Sequence, residues 1–340
     1  MMKTIVSVQE ISEFDIKPRV PVDRWRELVE EEIGRRWKDR SGWSRIVWPT
    51  CEASEAIPAF DRYGVSYVEC PDCGSLYAPL RPSETDLWSW YRDAKPSRFW
   101  REEILPASES ARLEKILRPR ADWILDGVAE YHPSARRAID VSPHSRAMLD
   151  LLVSGDGSLE EVVAAGVTAD LEGKSAPRVK VEPTPMGDLP GLGETDVIIA
   201  MDVMNRAADP RAFLQNLEKS LAPGGVVFGT ATVASGFELQ TLWDRSPTVI
   251  PPDKLNLPTV NAIRKMFAEP TWEILELSTP GMFDVELVRQ VIEEESDRSW
   301  PRVVRALVQR TDASGRIALI ELLQSLRLTS FARLVVRKRR

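Results

Sequence analysis

The sequence predicts an α/β protein in which helices cover both faces of a mostly parallel, doubly wound sheet. A cysteine-containing module precedes this sheet, and a helical insert lies near its end. From residue 136 onward, short apolar segments that fit buried strands alternate with segments that fit helices. One helix is marked clearly, because Asp209 can cap it and Pro210 suits its first position. Such sheets bind ligands at the carboxyl ends of their strands.

The composition is that of an ordinary globular protein. The chain has 340 residues, and its net charge of −7 argues against a protein that holds nucleic acid through its overall field. No apolar run is long enough to cross a membrane, and acidic residues follow the short apolar run at the N-terminus, so we expect neither a membrane span nor a signal peptide. Three cysteines, an odd number, argue against a disulfide framework, and the expected location is the reducing cytoplasm.

The first third of the chain is expected to form two smaller units. Residues 1–42 are a helical segment, because apolar residues recur on one face over 22–37. Residues 43–106 combine short strand-like pieces, turn residues and all three cysteines with a helical linker. Helical spacing continues over 84–130.

The remaining residues, 107–340, form the α/β domain. Its first strands are predicted at 138–141, 161–167, 179–182, 196–201 and 226–232, with helices at 145–153 and 210–221. A helix near 259–268 and a strand at 272–277 follow. Helices at 284–295 and 300–324 form the insert, at about 284–328, and a strand at 332–338 ends the sheet.

Three stretches give the chain a resemblance to a known family. They are "AIDVSPHSRAMLD" (138–150), "GETDVIIAMDVMNRAADPRAFLQNLEKSLAPGGVVFGTAT" (193–232) and "SPTVIPPDKLNLPTVNAIRKMFAEPTWEILELSTPGMFDVELVRQVI" (246–292). With the cysteines before them, they resemble the class I S-adenosylmethionine-dependent methyltransferases. More narrowly, the chain resembles a bacterial group with an N-terminal cysteine-rich, zinc-binding-like segment. The resemblance implies a Rossmann-like, seven-stranded methyltransferase sheet.

The resemblance also implies a set of cofactor-binding residues. Asp140, at the end of the first strand, would order the loop that follows or meet the methionine end of S-adenosylmethionine. Asp170, in "VTADLEG", would hold the ribose hydroxyls, and Asp188, in "MGDLP", lies where such enzymes contact the adenine. Asp202, in "MDVMNR", follows the fourth strand, which lines the cofactor and substrate cleft.

The loop after the first strand departs from the family pattern, which is Asp-x-Gly-x-Gly-x-Gly. Ser142, His144 and Arg146 stand at the glycine positions, and their side chains would narrow the space around a bound methionine moiety. Ser142 and His144 are still candidate cofactor contacts, since His144 could pair with the carboxylate of the cofactor. Arg146 could bind an anion at the start of a helix.

Two functions therefore stay open. The first is an S-adenosylmethionine-dependent methyltransferase that acts on a small-molecule, sugar-linked or lipid-linked acceptor, with Lys254, His144 and Tyr91 as candidate bases. The second is a catalytically inactive, methyltransferase-like protein that serves as a binding or assembly partner. Family members usually carry Glu-His where this chain has Asn205-Arg206, and many carry a histidine where it has Lys254.

The cysteines follow the pattern Cys51-x18-Cys70-x2-Cys73, and Gly74 follows the pair. A CxxCG turn directs two thiolates at one tetrahedral ion, so the spacing predicts a structural zinc site. There are two alternatives to a zinc site. The module could be metal-free and held together by packing, or the cysteines could be exposed reactive thiols. A zinc-ribbon protein that binds nucleic acid is disfavoured by the net charge.

A closed zinc site needs a fourth ligand. Trp48 stands where the usual partner half-site has its first cysteine. Asp72, Glu52 or a more distant residue could supply the missing ligand.

Overall fold

A computed structural model of the protein describes residues 2–8, 11–51, 55–142, 146–154, 159–166 and 176–339. The strands in these ranges are β1 (Ser44–Arg45), β2 (Ile57–Arg62), β3 (Val65–Glu69), β4 (Leu76–Tyr77), β5 (Leu80–Arg81), β6 (Arg137–Asp140), β7 (Glu161–Ala164), β8 (Val179–Val181), β9 (Thr195–Met201), β10 (Leu221–Thr232), β11 (Asn256–Leu257), β12 (Trp272–Ser278) and β13 (Phe331–Lys338).

The α-helices in the same ranges are α1 (Glu13–Ile16), α2 (Arg19–Arg36), α3 (Glu84–Asp93), α4 (Lys95–Phe99), α5 (Leu105–Ala107), α6 (Glu109–Arg112), α7 (Arg118–Tyr131), α8 (Arg146–Val153), α9 (Val203–Arg206), α10 (Pro210–Ser220), α11 (Phe237–Leu242), α12 (Val260–Met266), α13 (Asp284–Glu294), α14 (Arg302–Gln309) and α15 (Ala313–Ser325). Two π-helical stretches, Trp100–Ile104 and Leu113–Leu117, and two 3-10 helices, Met186–Leu192 and Trp243–Arg245, accompany them. Within the described ranges, every helix is too short or too polar to span a membrane.

Seven of the described strands form one sheet in the order β12-β13-β10-β9-β6-β7-β8. Neighbours from β10 to β8 pair in parallel, whereas β13 runs antiparallel to both β10 and β12. This arrangement confirms the mostly parallel, Rossmann-like sheet predicted from the sequence. The chain continues from β6 to β7 and β8 on one side and returns to β9 and β10 on the other, so a crevice opens at the carboxyl ends where the direction reverses.

Apolar side chains cover both faces of the central sheet. Ile139 and Ile198 face one cluster, which also holds side chains of α10 and α12. Their chain neighbours Ala138 and Val197 face the other cluster, with side chains of α7 and α8. Burial on both faces explains why these strands are continuous apolar runs in the sequence.

The C-terminal insert differs from its prediction. A single helix over 300–324 is wrong, because α14 ends at Gln309 and α15 begins at Ala313. Asp312 is the cause, since its carboxylate accepts a hydrogen bond from the backbone of Gly315 (2.8 Å) and so caps the N-terminus of a new helix.

A second sheet has the order β11-β4-β3-β2, so a strand from the later part of the chain completes the cysteine-containing region. The junction is filled by Arg81, which is 1% exposed. Its guanidinium donates to the carbonyl oxygens of Ala78 (2.8 Å), Ala207 (3.2 Å) and Leu255 (3.3 Å) and to Oδ1 of Asn256 (2.7 Å). These bonds join the small sheet to the segment that follows α9.

Two buried asparagines extend this network. Asn256 Nδ2 donates to the carbonyl oxygens of Met204 (2.9 Å) and Ala207 (2.8 Å). Asn205 Nδ2 donates to Thr232 O (2.9 Å) and Asn256 O (2.6 Å), and its Oδ1 accepts from Thr232 N (2.8 Å). Asn205, at a position where the sequence departs from the family pattern, therefore ties α9 to β10 and β11.

Candidate functional site

The candidate site lies where three neighbouring parallel strands end. Asp140 is the last residue of β6, Met201 the last of β9 and Thr232 the last of β10. Because the strands are parallel and in register, their carboxyl ends meet at one edge of the sheet. Two sequence-predicted residues, Asp140 and Asp202, are brought to this edge.

The carboxylate of Asp140 is buried at the end of its strand, with 2% of its surface exposed. Its Oδ1 accepts hydrogen bonds from the backbone N–H (2.8 Å) and the hydroxyl (3.0 Å) of Ser142. Burial raises the pKa of Asp140 to about 6, although these hydrogen bonds and the charge of Arg120 oppose the rise. The group is therefore ionised at neutral pH.

The hydroxyl of Ser142 connects two strands. It donates to Asp140, and its oxygen accepts the backbone N–H of Met201 (2.8 Å) at the end of β9. The side chain is buried between these partners. The residue at the first glycine position of the family pattern is thereby directed toward the strand ends.

Asp202 marks a sharp change of chain direction between β9 and α9. It has a φ of 59°, in the left-handed region. Its backbone N–H lies 3.0 Å from both the carbonyl oxygen and the hydroxyl of Thr230 on β10. Aspartate tolerates this conformation better than most residues, and such positions are enriched at functional sites.

A cluster of charged and aromatic side chains lies close to Asp202. It consists of Tyr91 from α3, Arg206 from α9, and Asp253 and Lys254 from the segment before β11. Arg206 Nε is 3.6 Å from Asp253 Oδ1, and its guanidinium carbon is 5.4 Å from the centre of the Tyr91 ring. This cluster gives the site an aromatic wall and mixed charge.

Burial and mutual charge set the ionisation of this cluster. Burial lowers the pKa of Lys254, and the carboxylate of Asp202 partly restores it. Burial alone would lower the pKa of Arg206 as well, but Asp253, Tyr91 and Asp202 raise it overall. The pKa of Tyr91 lies well above its usual value because the hydroxyl is buried. Arg206 Nε is a buried donor with no hydrogen-bond acceptor among the described residues.

The described part of the structure gives less information about the remaining residues predicted to contact the cofactor. Asp188 is exposed in the first turn of the 3-10 helix Met186–Leu192, so its adenine contact stays a prediction. His144 and Asp170 lie outside the described residues. Arg146 is the first residue of α8 and pairs with Asp150 (3.4 Å).

Sequence reasoning did not select Arg120 and Asp253, and it treated Arg206 only as a departure from a family motif. Arg120 lies on α7, where its charge acts on both Asp140 and Asp202. These residues come from segments far apart in the chain, and no motif links them. The sequence feature that could have indicated these residues is that each is a charged residue in or beside an apolar segment.

The sulfur atoms of Cys51, Cys70 and Cys73 form a second candidate site. All three lie within 4.8 Å of one another, and none is in a disulfide. Burial raises the pKa of Cys51 and of Cys70, whereas hydrogen bonds from Ser75 and contact with the other thiols lower that of Cys73 against the effect of burial. Three soft ligands at this spacing suit a metal ion that prefers thiolates.

No fourth protein ligand is evident among the described residues. Trp48 is buried in the core, the exposed Asp72 is absent from the cluster, and Glu52 lies outside the described residues. The ammonium of Lys265 on α12 is instead 3.8 Å from the sulfur of Cys51.

Comparison with known proteins shows that part of the chain is similar to methyltransferases. Residues 113–277 match the model of a family described as a methyltransferase domain. The ubiquinone biosynthesis O-methyltransferase of Parvibaculum lavamentivorans is 37% identical over 78 residues, which cover 23% of this chain and 30% of that protein. The match therefore spans less than a third of the length of this curated relative.

Solved structures of methyltransferases are also similar. The O-methyltransferase from a trans-AT PKS multienzyme of Brevibacillus brevis, in complex with S-adenosyl-L-homocysteine, has a TM-score of 0.44 and 13% identity, and the match covers 84% of this chain and 85% of that one. The plantazolicin methyltransferase BpumL has a TM-score of 0.47 and 9% identity, with 76% and 95% covered. Residues 113–277 therefore resemble a methyltransferase domain, and they include most of the seven-stranded sheet. A cluster of three cysteines lies in the N-terminal part of the chain.

Proposed function

We propose that the protein is an S-adenosylmethionine-dependent methyltransferase that acts in the cytoplasm on a small-molecule, sugar-linked or lipid-linked acceptor. The observation that carries the proposal is the pair Asp140 and Asp202, which follow neighbouring parallel strands at the edge where such sheets bind ligands. S-adenosylmethionine carries a sulfonium and an ammonium, and carboxylates complement both charges.

The described residues fit this cofactor. Ser142 occupies a glycine position, but its hydroxyl is engaged by Asp140 and Met201 at the strand ends. Asp140 and Ser142 would therefore shape the loop that holds the methionine part of the cofactor. Asp188 and Asp170 are the proposed contacts to adenine and ribose, and His144 to the cofactor carboxylate. The bound cofactor would supply the methyl group.

On the acceptor side, the proposal uses the cluster beside Asp202. The buried Nε–H of Arg206 has no hydrogen-bond partner among the described residues. It can therefore donate a hydrogen bond to an oxygen of the methyl-accepting substrate. Lys254, whose pKa is lowered by burial, is the best candidate to take a proton from an acceptor hydroxyl or amine. The hydroxyl of Tyr91 is less suited, because it donates to Pro252 O (3.1 Å) and its pKa is raised.

The alternative is a catalytically inactive relative that binds a protein partner. It is favoured by Arg146, which occupies the third glycine position at the start of α8 and is held there by Asp150. The two candidates differ in one measurable property, the binding of the cofactor.

The test is calorimetric titration of the full-length protein with S-adenosylmethionine and S-adenosylhomocysteine at neutral pH. We expect micromolar binding that D140N weakens by about 10- to 100-fold, since the charge is lost while the shape is kept. D23N, on the exposed face of α2, is the matched control and should leave the affinity unchanged. No binding by the unmodified protein at millimolar cofactor would instead support the inactive alternative.

We further propose that the cysteine cluster binds one structural zinc ion through Cys51, Cys70 and Cys73. Three thiolates leave one coordination position to water or to a residue such as Asp72. A structural role suits the place of the cluster, because the turn that carries Cys73 is hydrogen-bonded to the start of α12.

A further inference from the structure

The helical insert near the C-terminus exposes apolar side chains together with arginines that have no ion-pair partner among the described residues. We define the α14–α15 surface as five apolar residues, Val303, Leu307, Ile317, Leu322 and Leu326, and three arginines, Arg302, Arg305 and Arg310. The apolar side chains are between 38% and 65% exposed. Isolated exposed leucines need no explanation, but a group on two successive helices does.

Helix α14 has an apolar stripe that the protein covers only in part. Val308 is fully buried, and Val304 packs against the same cluster, which also contains side chains of α13. Val303 and Leu307, one turn apart, continue the stripe but are exposed. The stripe is therefore wider than its contact with the rest of the protein.

Helix α15 is apolar on nearly its whole circumference. Only Arg316 and Glu321 are charged among its residues 313–325. Leu323 is buried in the same cluster, whereas Ile317 and Leu322 are exposed. A helix with this composition is normally covered on all sides.

The charge of this segment is opposite to that of the whole protein. Residues 301–328 contain five arginines and two acidic residues, which gives +3, while the chain carries −7. Arg302, Arg305 and Arg310 are exposed, and the described residues provide no ion-pair partner for them. On α14, Arg302 and Arg305 occupy the side of the helix away from the apolar stripe, and Arg310 directly follows the last residue of the helix.

We propose that the α14–α15 surface docks reversibly onto an anionic lipid bilayer. Such a surface supplies negative charge for the arginines and an apolar layer for the aliphatic side chains, which is the usual pattern of helices that lie in a membrane interface. A second copy of the chain is a poorer occupant, because a symmetric contact through this face would bring the arginines of both copies together. The proposal does not depend on methyl transfer.

The test is flotation of the full-length protein with vesicles of phosphatidylcholine alone or with a third of phosphatidylglycerol. We expect binding to the anionic vesicles only, and weaker binding as salt is raised. The triple variant R302A/R305A/R310A should lower the partition coefficient by about tenfold or more. V303S/L307S should lower it at low salt as well, because it removes the apolar part of the contact.

The matched control is R98A/R118A/R178A, which removes three exposed arginines from other elements and should bind as the unmodified protein does. Circular dichroism of each variant, with melting temperatures, checks that the fold is kept.

Absence of binding to anionic vesicles at low salt overturns the proposal, and so does an equal loss of binding in the control triple variant. If the protein forms a concentration-dependent dimer that V303S/L307S dissociates, the surface serves self-association and the membrane proposal is wrong. If the protein binds an acidic protein saturably but does not bind vesicles, the surface serves a protein partner and the membrane proposal is also wrong.

Discussion

Glu238, on α11, is a carboxyl group with none of its surface exposed. Burial raises its pKa to about 8, and the nearby carboxylates of Asp284 and Glu13 add to the rise. The hydroxyls of Ser246 and Thr248 act in the opposite direction. The folded protein therefore holds a proton on this group at neutral pH.

This proton makes stability depend on pH. The ordinary pKa of the group is 4.5, so its favourable contribution is complete below that pH and is lost as pH rises through about 8. We expect the free energy of unfolding to fall by up to about 5 kcal/mol over this range from Glu238 alone, and E238Q to remove that fall. Urea denaturation at several pH values measures it.

The matched control for Glu238 is E27Q, on the exposed face of α2. It should retain the pH dependence of the unmodified protein. Equal slopes in the unmodified protein and in E238Q would show that Glu238 does not titrate as its burial implies.

Ser142 illustrates a different use of a single side chain. A glycine at this position would leave the N–H of Met201 without the hydroxyl that it now contacts (2.8 Å). The serine satisfies this buried donor and also holds Asp140. Its presence is consistent with a cofactor loop of altered design, and it is not by itself a sign of lost function.

Among the elements, α12 is held to the cysteine-bearing turn by two hydrogen bonds, both made by its capping residue Thr259. The hydroxyl of Thr259 caps α12 by accepting from Ala262 N (3.1 Å) and donates to Cys73 O (2.9 Å). The backbone N–H of Thr259 donates to the hydroxyl of Ser75 (3.1 Å). A metal ion bound by the cysteines would therefore stabilise the start of α12 as well.

We expect the purified, reduced protein to contain about one zinc ion per chain, and C70S or C73S to lose it. Chelation should lower the melting temperature, because binding energy at a structural site stabilises the folded state. Metal analysis and thermal unfolding measure both effects. D72N tests the fourth ligand, since it should keep the metal if water completes the site. Full occupancy in C70S would contradict the assignment.

In the whole molecule, the buried Arg81 joins parts of the chain that are distant in sequence. It lies at the end of β5 and contacts the segments that follow α9 and precede β11. Burial lowers its pKa to about 9, and backbone oxygens compensate the charge in place of a carboxylate. Its bonds connect the small sheet to the segment that follows α9.

R81K should therefore be costly despite its conserved charge. A lysine ammonium cannot reach the separate acceptors that the planar guanidinium serves, so several buried oxygens would lose their donors. We expect a loss of about 3 kcal/mol in the free energy of unfolding, measured by urea denaturation. R92K, at an exposed arginine on α3, should change it by less than about 0.5 kcal/mol. A similarly small effect of R81K would remove Arg81 from this role.

Local patterns predicted much of the fold. The runs around Ile139 and Ile198 are apolar because their strands are buried on both faces, and Asp209 and Pro210 mark the start of α10 in any context. The break between α14 and α15 was missed, because the capping signal of Asp312 is short and lies within a longer apolar pattern.

The sequence by itself determined the order of strands and helices, the presence of Asp140 and Asp202 after parallel strands, and the spacing of the cysteines. These features depend on periodicity and turn chemistry, which act between near neighbours. Only the tertiary structure decided that Ser142 joins β6 to β9, that Arg206 and Lys254 lie close to Asp202, and that Arg81 is buried. Contacts between residues far apart in the chain follow from packing, and no local pattern encodes them.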